Sequence, residues 1–408
     1  AMAEYKRNHP PMPVRVGLFM KAKKCDKLMR KLSAGLGRTG EVKTIYVKLD
    51  PALPLDSQGE VDILVIKVNE WLVRAHFYRD KQAKDFIRAV ESYILRHPSI
   101  CVIGRLNKVR PVIDRRDIIS KLNSLNTNLN VFVPRSINVS PLKWRDRGQN
   151  NVRTYLTELR QPTICKHVIA CGHPNAHKMI VAPCNESLVA ALGPNLHQMS
   201  LVENKRKLPK SVGWVVQELI PHDGYVYKIY VCGGRSRSYR RSHSTRQNQI
   251  PKGKGEYVWV ARRESFGNLR SLKHHGEAVM FHSHEKLPQR LRAEGKNRKK
   301  REFSTNEIEP DLISSLKAIG KAVSRHFEVG TVGIDVLLSP QVDGDHRYYV
   351  IDVNYLPSYK EVDDREFRER FDEYLLQLRD SKIRKEKLDE MCTCRGLYPM
   401  KTGSCSIL

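Results

Sequence analysis

The chain has 408 residues, enough for two or three domains, and its 40% hydrophobic content is that of a globular protein. Its 72 Lys and Arg outnumber 44 Asp and Glu, and the formal net charge of +28 predicts a polyanionic partner: nucleic acid, an anionic membrane or a heavily phosphorylated small molecule. No apolar run reaches transmembrane length, and nine Cys with neither a repeating framework nor a secretory leader lead us to expect a reducing, cytoplasmic setting.

The first third of the chain alternates strand and helix patterns. The predicted elements are a strand at 14–20, a helix at 27–36, strands at 42–49 and 61–68, a helix at 82–96 and a strand at 100–103. This order is typical of an α/β sheet. Lys24, Lys67 and Arg110 each follow or end one of these strands. Cations at corresponding strand ends indicate one anion site, with solvated surface charges as the alternative.

Two lysines lie within strand patterns of the middle region. Residues 161–166 form a predicted strand that ends on Lys166, and a loop at 171–177 leads into a second strand at 178–183. The tip of this hairpin is suited to fold over phosphates. After a helix at 186–192, strands are predicted at 214–220 and 225–231, and Lys228 lies among apolar neighbours in the latter. A lysine in such a position requires a charged partner or a ligand, and a nucleotide phosphate is a good candidate.

Basic residues are concentrated in two stretches, 235–263 and 290–301, which are rich in polar residues and are predicted to be inserted surface loops. An amphipathic helix is predicted at 308–327 and a last helix at 365–378. The sequence ends in Cys405-Ser406-Ile407-Leu408, which fits a prenylation signal with Leu favouring a geranylgeranyl group. We therefore expect membrane association through a lipid on Cys405, with a chance match as the alternative.

Three oxygen-bearing side chains are predicted to converge on a hairpin within residues 333–354. The runs 333–338 and 348–354 are rich in β-branched and aromatic residues and are joined by turn-forming residues, so they predict an antiparallel hairpin. Asp352 and Asn354 are two residues apart and point to the same face, where Asp335 on the partner strand joins them. Buried anionic oxygens require compensation, and Mg²⁺ prefers such ligands. The alternative is that these polar residues mark strand ends.

Two lysines on separate strands followed by an Asp and an Asp-x-Asn set have the layout of an ATP-grasp nucleotide site. Beyond that layout, the chain resembles the inositol-tetrakisphosphate 1-kinase family, also called the inositol 1,3,4-trisphosphate 5/6-kinase family. The segments that carry the resemblance are Val16-Gly17, Asp62 to Lys67, Ile164-Cys165-Lys166, Tyr227-Lys228, Gly333-Ile334-Asp335 and Ile351-Asp352-Val353-Asn354. The resemblance extends over about 14–374, apart from the basic stretches between 235 and 301.

This resemblance implies an α/β protein of the ATP-grasp fold, with an N-terminal Rossmann-like domain and two ATP-grasp subdomains that enclose the nucleotide. It further implies a Mg²⁺-dependent kinase that transfers the γ-phosphoryl group of ATP to a hydroxyl of an inositol tris- or tetrakisphosphate. By the same resemblance, substrate phosphates are expected at Lys24, Lys67, Arg110, His177, Arg240 and Asn354. ATP is expected at Lys166, Gln217, Glu218, Leu219, Lys228 and Ser242, and Mg²⁺ at Asp335, Asp352 and Asn354. Lys24, Lys166, Lys228 and Asp352 are expected to act in the transfer itself.

The sequence departs from the family pattern at two places. The family's His-Gly pair in the first hairpin is replaced by Cys171-Gly172, with His173 one residue further on. The family's Pro-Gly-Tyr after the acidic strand is replaced by Pro357-Ser358-Tyr359.

The predicted division of the chain is a substrate-binding domain at 1–115, a central ATP-grasp subdomain at 116–219, a C-terminal one at 220–380 with basic insertions near 235–301, and a basic tail at 381–408. A monomer is expected. Two alternatives to the kinase stay open: an ATP-grasp carboxylate-amine ligase, and a non-catalytic protein that binds RNA or phosphoinositides through its basic insertions. The three cations of the first domain favour a polyphosphate acceptor.

Overall fold

The computed structural model describes residues 13–33, 43–141, 153–200, 212–233, 256–265, 276–283, 285, 288, 291, 308–339 and 346–394, with the backbone alone at 195–200, 385 and 387–394. Its strands are β1 (Val14–Met20), β2 (Thr44–Leu49), β3 (Ile63–Lys67), β4 (Cys101–Ile103), β5 (Val131–Phe132), β6 (Ser136–Val139), β7 (Thr163–His167), β8 (Lys178–Ala182), β9 (Trp214–Glu218), β10 (Tyr225–Gly233), β11 (Glu256–Glu264), β12 (Val279–His282), β13 (Thr331–Ser339) and β14 (Arg347–Tyr355). Its helices are α1 (Ala22–Ser33), α2 (Asn69–Phe77), α3 (Lys81–Arg96), α4 (Leu106–Val109), α5 (Arg115–Asn123), α6 (Asn185–Ser200), α7 (Pro310–Phe327) and α8 (Asp364–Cys394).

The N-terminal sheet is parallel and has the order β2-β1-β3-β4. Its central strand β3 is apolar from Ile63 to Ile66, and each of these residues is at most 1% exposed. Parallel strands are covered by helices on both faces, so a continuous apolar run is what this position requires. The α/β arrangement predicted for this part of the chain is therefore confirmed.

The middle sheet is antiparallel and has the order β12-β8-β7-β9-β6. Leu188 and Leu192 of α6 pack with Ile180 and Trp214 in its core. The C-terminal sheet has the order β11-β10-β13-β14-β5 and is antiparallel except where β5 joins β14. Helix α7 was predicted at 308–327 and is confirmed, with Leu316, Ile319, Val323 and Phe327 buried.

Two strands cross the domain boundaries that the sequence predicted. β12 lies within 220–380 but pairs with β8 of the middle sheet, and β5 lies within 116–219 but pairs with β14 of the C-terminal sheet. The predicted domains are continuous segments of the chain, whereas a strand can pair with the edge of a sheet from a distant part of the sequence. The sheets are therefore assembled from discontinuous segments.

β11 corrects part of the prediction of inserted loops at 235–263. The strand contains Tyr257-Val258-Trp259-Val260 and pairs with β10 along its whole length. Arg262, one of the basic residues that suggested a loop, lies over the ring of Tyr225 with 4.5 Å between its guanidinium carbon and the ring centroid. The high charge of this region favoured the prediction of a loop, although the centre of the strand consists of aromatic and β-branched residues, which are typical of strands.

The last helix is longer than predicted. The sequence suggested 365–378 and a tail from 381, but α8 runs from Asp364 to Cys394. Glu, Lys and Arg favour helix as strongly as most apolar residues, so the polar segment after residue 378 continues the helix. No helix among the residues described is long and apolar enough to cross a bilayer.

Helix α8 holds the N-terminal sheet and the C-terminal region together. The ammonium of Lys31 in α1 donates to the Val362 carbonyl at 2.7 Å, just before α8 begins. The hydroxyl of Thr44 in β2 donates to Asp372 at 2.9 Å, and the hydroxyl of Tyr46 donates to the same carboxylate. The largest hydrophobic core accordingly includes both the N-terminal and the C-terminal sheet.

Candidate active site

A row of charged side chains crosses three strands of the C-terminal sheet. Lys228 on β10 is paired in register with Asp335 on β13, which is in turn paired with Asp352 on β14. Directly opposed residues of adjacent strands point to the same face. The Lys228 ammonium lies 3.1 and 3.4 Å from the two oxygens of Asp335. The predicted hairpin is confirmed, and it places both carboxylates side by side.

Asn354 completes this group of oxygen donors. Its side-chain nitrogen donates to an Asp352 oxygen at 3.1 Å, and its backbone is paired with Gly333 on β13. A register shift follows Asp335 in the same hairpin. A bulge of this kind re-aims side chains at the site where pairing is interrupted.

Burial makes this group of carboxylates costly without a cation. Burial raises the pKa of Asp335, the charge of Lys228 opposes the shift, and the charge of Asp352 adds to it. One lysine compensates one of two neighbouring negative charges, so the donor set fits a hard divalent cation. Within the described ranges, no group of three His, Cys, Asp or Glu side chains is placed to hold a metal. A metal here would therefore need Asn354 as its third protein ligand.

Lys166 brings the middle sheet to the same place. It lies on β7, is 5% exposed, and its ammonium donates to the Ile351 carbonyl on β14 at 3.0 Å. Burial lowers its pKa to about 8, while the charges of Asp352 and Asp335 oppose that shift. Lys166 thus faces the carboxylates from the opposite side of the junction between the two sheets.

The segment at Gln217, Glu218 and Leu219 forms the end of β9, next to β7. Gln217 is buried, with its backbone paired to Ile164 of β7. The Glu218 amide donates to the Arg135 carbonyl and the Leu219 amide to the Pro162 carbonyl, each at 3.0 Å. Both main-chain donors are therefore engaged within the protein.

Lys24 and Lys67 meet at the carboxyl edge of the N-terminal sheet. Lys67 ends β3, and Lys24 lies exposed in the first turn of α1. Burial and the nearby positive charge of Lys24 lower the pKa of Lys67 to about 7. The Lys67 ammonium donates to the carbonyl of Leu356, just beyond β14. Two of the three basic residues predicted to bind substrate phosphates thus lie together, beside the loop that follows the β13–β14 hairpin.

Arg110, the third predicted cation, has a different partner. Its guanidinium lies 3.2 Å from Nδ1 of His76 in α2, and Nε2 of that ring lies 3.9 Å from the buried carboxylate of Asp114. Because a guanidinium only donates, His76 accepts through Nδ1. Arg110 is thus oriented by His76, and no contact between Arg110 and Lys24 or Lys67 is seen among the residues described.

The loop at the tip of the β7–β8 hairpin contacts the end of β12 in its own sheet and the N-terminal domain. His177 lies toward the end of β12, where its carbonyl accepts from the Ser283 amide at 2.9 Å. Cys171 lies on the N-terminal side, where its sulfur is 3.2 Å from the side-chain nitrogen of Asn69. Burial raises the pKa of the Cys171 thiol, and Asn69, Lys24 and Lys67 oppose that shift. Cys171 is therefore a residue of this loop whose pKa Lys24 and Lys67 influence.

Sequence reasoning did not select Asn69 or Cys171 as site residues. The signal was present, because Cys171-Gly172 replaces the His-Gly pair of the resembling family. Gly172 has φ +72°, and a Cβ there would lie 3.2 Å from backbone atoms of Asn69 and Glu70. A glycine thus lets this loop approach the beginning of α2 closely.

Several predicted residues lie outside the described ranges. They are Arg240, Ser242, most of the basic stretches and Cys405. Contact with a membrane or nucleic acid and a monomeric state stay predictions.

Models of one enzyme family match two separate parts of the chain. The pre-ATP-grasp domain of inositol 1,3,4-trisphosphate 5/6-kinase matches residues 15–109, and the ATP-grasp domain of the same kinase matches residues 253–377. Together these matches cover more than half of the 408 residues. The chain belongs to the inositol 1,3,4-trisphosphate 5/6-kinase family. The second match begins inside the basic region that the motif resemblance left out, in agreement with the presence of β11.

Curated relatives of this kinase family match along most of their length. The inositol-tetrakisphosphate 1-kinase of Xenopus laevis is 23% identical over 361 residues, which are 85% of this chain and 75% of that protein. Inositol-tetrakisphosphate 1-kinase 3 of Arabidopsis thaliana is 22% identical over 378 residues, which are 91% and 87% of the two chains.

Solved structures show the ATP-grasp fold of this family member. D-alanine–D-alanine ligase from Coxiella burnetii has a TM-score of 0.53 at 9% identity, covering 95% of this chain and 99% of the ligase. The ligase from Bacillus anthracis has a TM-score of 0.51 at 11% identity, covering 93% and 100%. At such identities the likeness concerns the fold alone.

The second departure from the kinase family pattern is accommodated by neighbouring residues. In the loop after β14, Leu356 has φ +41° and Tyr359 has φ +46°, whereas Ser358 does not have a positive φ. Serine in place of the family's glycine therefore needs no left-handed backbone. A Cβ on Gly333 would lie 2.9 Å from the Pro357 side chain, so this glycine gives the loop its room on β13.

Proposed function

We propose that this chain transfers the γ-phosphoryl group of ATP to a hydroxyl of an inositol polyphosphate. One observation carries the proposal: Lys228, Asp335 and Asp352 form a half-buried row that Lys166 faces from the middle sheet. Membership in the inositol 1,3,4-trisphosphate 5/6-kinase family and relatives named inositol-tetrakisphosphate 1-kinase support the acceptor class.

The nucleotide side of the site is proposed to use the buried Lys166 and the half-buried Lys228. Lys166 and Lys228 hold ATP phosphates as point charges, because each ammonium already lies at the junction of the two sheets. The segment 217–219 and Ser242 contact the rest of the nucleotide. An adenine that accepted from the Leu219 amide would replace the bond to the Pro162 carbonyl.

The metal side is proposed to use Asp335, Asp352 and Asn354 as Mg²⁺ ligands. The ion, when bound, supplies charge neutralisation between nucleotide phosphates. The chain's own contribution is to hold both carboxylates in register on adjacent strands. The charge of Lys228 opposes the rise in the pKa of Asp335 that burial causes.

The acceptor side is proposed to lie at the edge of the N-terminal sheet. An inositol with three or four phosphates carries on the order of −5 to −8 charges, at about −1.5 to −2 per phosphate. Lys24 and Lys67 repel each other without an anion, which supports a phosphate between them. Arg110, His177, Arg240 and Asn354 are proposed as further acceptor contacts, and Cys171 lies beside this group.

Catalysis then depends on position and charge. In-line phosphoryl transfer requires alignment and electrostatic stabilisation more than a covalent intermediate. Lys24, Lys166, Lys228 and Asp352 are proposed to act in the transfer. Since no described residue needs to remove the acceptor proton for this geometry, we assign no general base.

The test is an ATP-dependent assay over a panel of inositol tris- and tetrakisphosphates, with Asp352→Ala as the inactive variant. We expect at least one phosphorylated product from the wild type and none from the variant. No product with any member of the panel would overturn the kinase proposal. Transfer to a carboxylate with ligation to an amine would indicate the ligase. Salt-dependent RNA or phosphoinositide binding that survives Asp352→Ala, without ATP turnover, would indicate the polyanion-binding protein.

A further inference from the structure

Consecutive residues at the end of β14 bind the end of β3. The Tyr355 hydroxyl donates to the carbonyl of Ile66 at 2.7 Å, and the next residue, Leu356, accepts from the ammonium of Lys67. Tyr355 is 3% exposed and Ile66 is 1% exposed, so the contact between them is shielded from water.

Gly104 makes room for this contact. It follows β4 with φ +82°, and a Cβ at this position would lie 2.0 Å from the Tyr355 hydroxyl oxygen and 2.6 Å from the Ile66 carbonyl oxygen. No side chain fits between these atoms, and the backbone conformation itself favours glycine. The chain thus leaves space at one point of the N-terminal sheet for one hydroxyl of the C-terminal sheet.

The two strands that Tyr355 joins carry opposite halves of the proposed site. β14 carries Asp352 and Asn354 on the donor side, and β3 ends in Lys67 on the acceptor side. Only one peptide bond separates Asn354 from Tyr355, and only one separates Ile66 from Lys67. The hydrogen bond between Tyr355 and Ile66 therefore fixes the position of the donor half relative to the acceptor half. It does so through residues that are directly bonded to Asn354 and to Lys67.

We propose that Tyr355 is a positioning residue that sets the alignment between the acceptor hydroxyl and the phosphoryl group. The inference depends on the proposed function, because alignment has a meaning only if this site transfers phosphate. Misplacement by about 1 Å is enough to reduce a transfer rate by on the order of a hundredfold. When the acceptor is held less firmly, water competes for the phosphoryl group, and a neighbouring hydroxyl of the inositol becomes reachable.

The test compares Tyr355→Phe with the wild type in the full chain. We measure inositol product formed per ATP consumed, the position of the new phosphate, and KM separately from kcat. For the variant we expect hydrolysis relative to transfer to rise by about tenfold, and the position of the new phosphate to become less uniform. KM for ATP remains close to that of the wild type, because the nucleotide lysines are not altered.

Tyr46→Phe is the matched control. Its hydroxyl also joins the N-terminal sheet to the C-terminal region, through Asp372 of α8, but on the edge strand β2 and away from the lysines and carboxylates. We expect this variant to lower the melting temperature and leave the product per ATP unchanged. If Tyr355→Phe does the same, Tyr355 is merely structural and the inference is wrong.

Gly104→Ala tests the same contact from the other side if Tyr355→Phe does not fold, because its Cβ displaces the hydroxyl. It is expected to lower product per ATP, and an unchanged ratio would overturn the inference. The wild-type assay separates the two proposals. A wild type that phosphorylates no inositol polyphosphate refutes the proposed function. If the wild type is active and Tyr355→Phe forms the same amount of inositol product per ATP consumed, only the role of Tyr355 is refuted.

Discussion

Lys228 and Asp335 form an ion pair across adjacent antiparallel strands, with 3.1 Å between the ammonium nitrogen and one carboxylate oxygen. Burial raises the pKa of Asp335, and the positive charge of Lys228 opposes that rise. Removing the lysine is therefore expected to weaken the proposed contact with ATP phosphates and to raise the pKa of the neighbouring carboxylate further.

We expect Lys228→Met to lower kcat/KM for ATP by about 10²- to 10³-fold, the usual cost of losing one preorganised electrostatic contact. Steady-state kinetics at a fixed acceptor concentration checks this. Lys121→Met serves as a control, because Lys121 donates to the His326 carbonyl at 3.2 Å on a different face of the fold. An unchanged kcat/KM for ATP in Lys228→Met would contradict the assignment.

The second prediction concerns the metal. Chelation with EDTA is expected to abolish transfer, and added Mg²⁺ to restore it, because two adjacent, half-buried carboxylates need a cation. Asp352→Asn is expected to reduce kcat by about 10²-fold or more and to raise the Mg²⁺ concentration that gives half of the maximal rate.

The control for Asp352→Asn is Asp223→Asn, which removes a carboxylate just before β10 that accepts from the Tyr227 hydroxyl at 2.6 Å. Its Mg²⁺ dependence should match the wild type. Equal Mg²⁺ dependence in Asp352→Asn would show that the acidic hairpin does not bind the metal.

The third prediction is a pH dependence of acceptor binding. Burial lowers the pKa of Lys67 to about 7, so the free enzyme loses this positive charge as pH rises through neutrality. Phosphate favours the charged ammonium, so kcat/KM for the acceptor should fall from about pH 7 upward, and acceptor binding near pH 8 should take up a proton. Calorimetry in buffers of different ionisation enthalpy measures that uptake. Lys67→Arg, which does not titrate in this range, should flatten the profile.

The same shift has a consequence for stability with a defined sign. In the unfolded chain, Lys67 keeps its proton up to about pH 10.4, whereas in the folded protein it loses the proton near pH 7. The unfolded state binds more protons in this window, so the contribution of Lys67 to the free energy of unfolding rises with pH from about 7 to 10.4. Urea unfolding of wild type and Lys67→Met at several pH values measures it. Parallel pH dependences of the two proteins would be inconsistent with a lowered pKa.

The fourth prediction concerns the contact of α8 with β2. Asp372→Ala leaves the Thr44 hydroxyl, in a residue that is 3% exposed, and the Tyr46 hydroxyl without their acceptor. A buried donor without a partner costs about 1–3 kcal/mol, so the free energy of unfolding should fall by that amount. Glu369→Ala, which removes an exposed ion pair of the same helix with Arg365, should cost less than about 1 kcal/mol. Equal losses in the free energy of unfolding for both variants, measured by urea unfolding, would contradict a stabilising contact between α8 and β2. We call this contact the clasp.

The sequence predicted those elements whose pattern is local. β1 and α7 were found at or near their observed bounds, and the pairing of Asp335 with Asp352 followed from two β-rich runs joined by a turn. The alternation of side chains on a strand was enough to place Asn354 with them. These features depend on neighbours in the chain and on one short hairpin.

Features that depend on distant partners were missed. Nothing around Tyr355 indicates that its hydroxyl binds the Ile66 carbonyl, because the two residues are 289 positions apart. The pairing of β12 with β8 and the extension of α8 against the N-terminal sheet were missed for the same reason. Cys171 could have been selected from its position in the hairpin, but only the fold shows that Lys24 and Lys67 lie beside it.

The clasp of α8 over the N-terminal sheet also determines when that sheet can be completed during synthesis. Thr44 and its acceptor Asp372 are separated by 328 residues, and a ribosome needs on the order of half a minute to add that many. The first domain to leave the exit tunnel is thus the last to acquire its full set of contacts. Strand β2, at the edge of the sheet, is open to chaperones or to wrong strand partners throughout that interval.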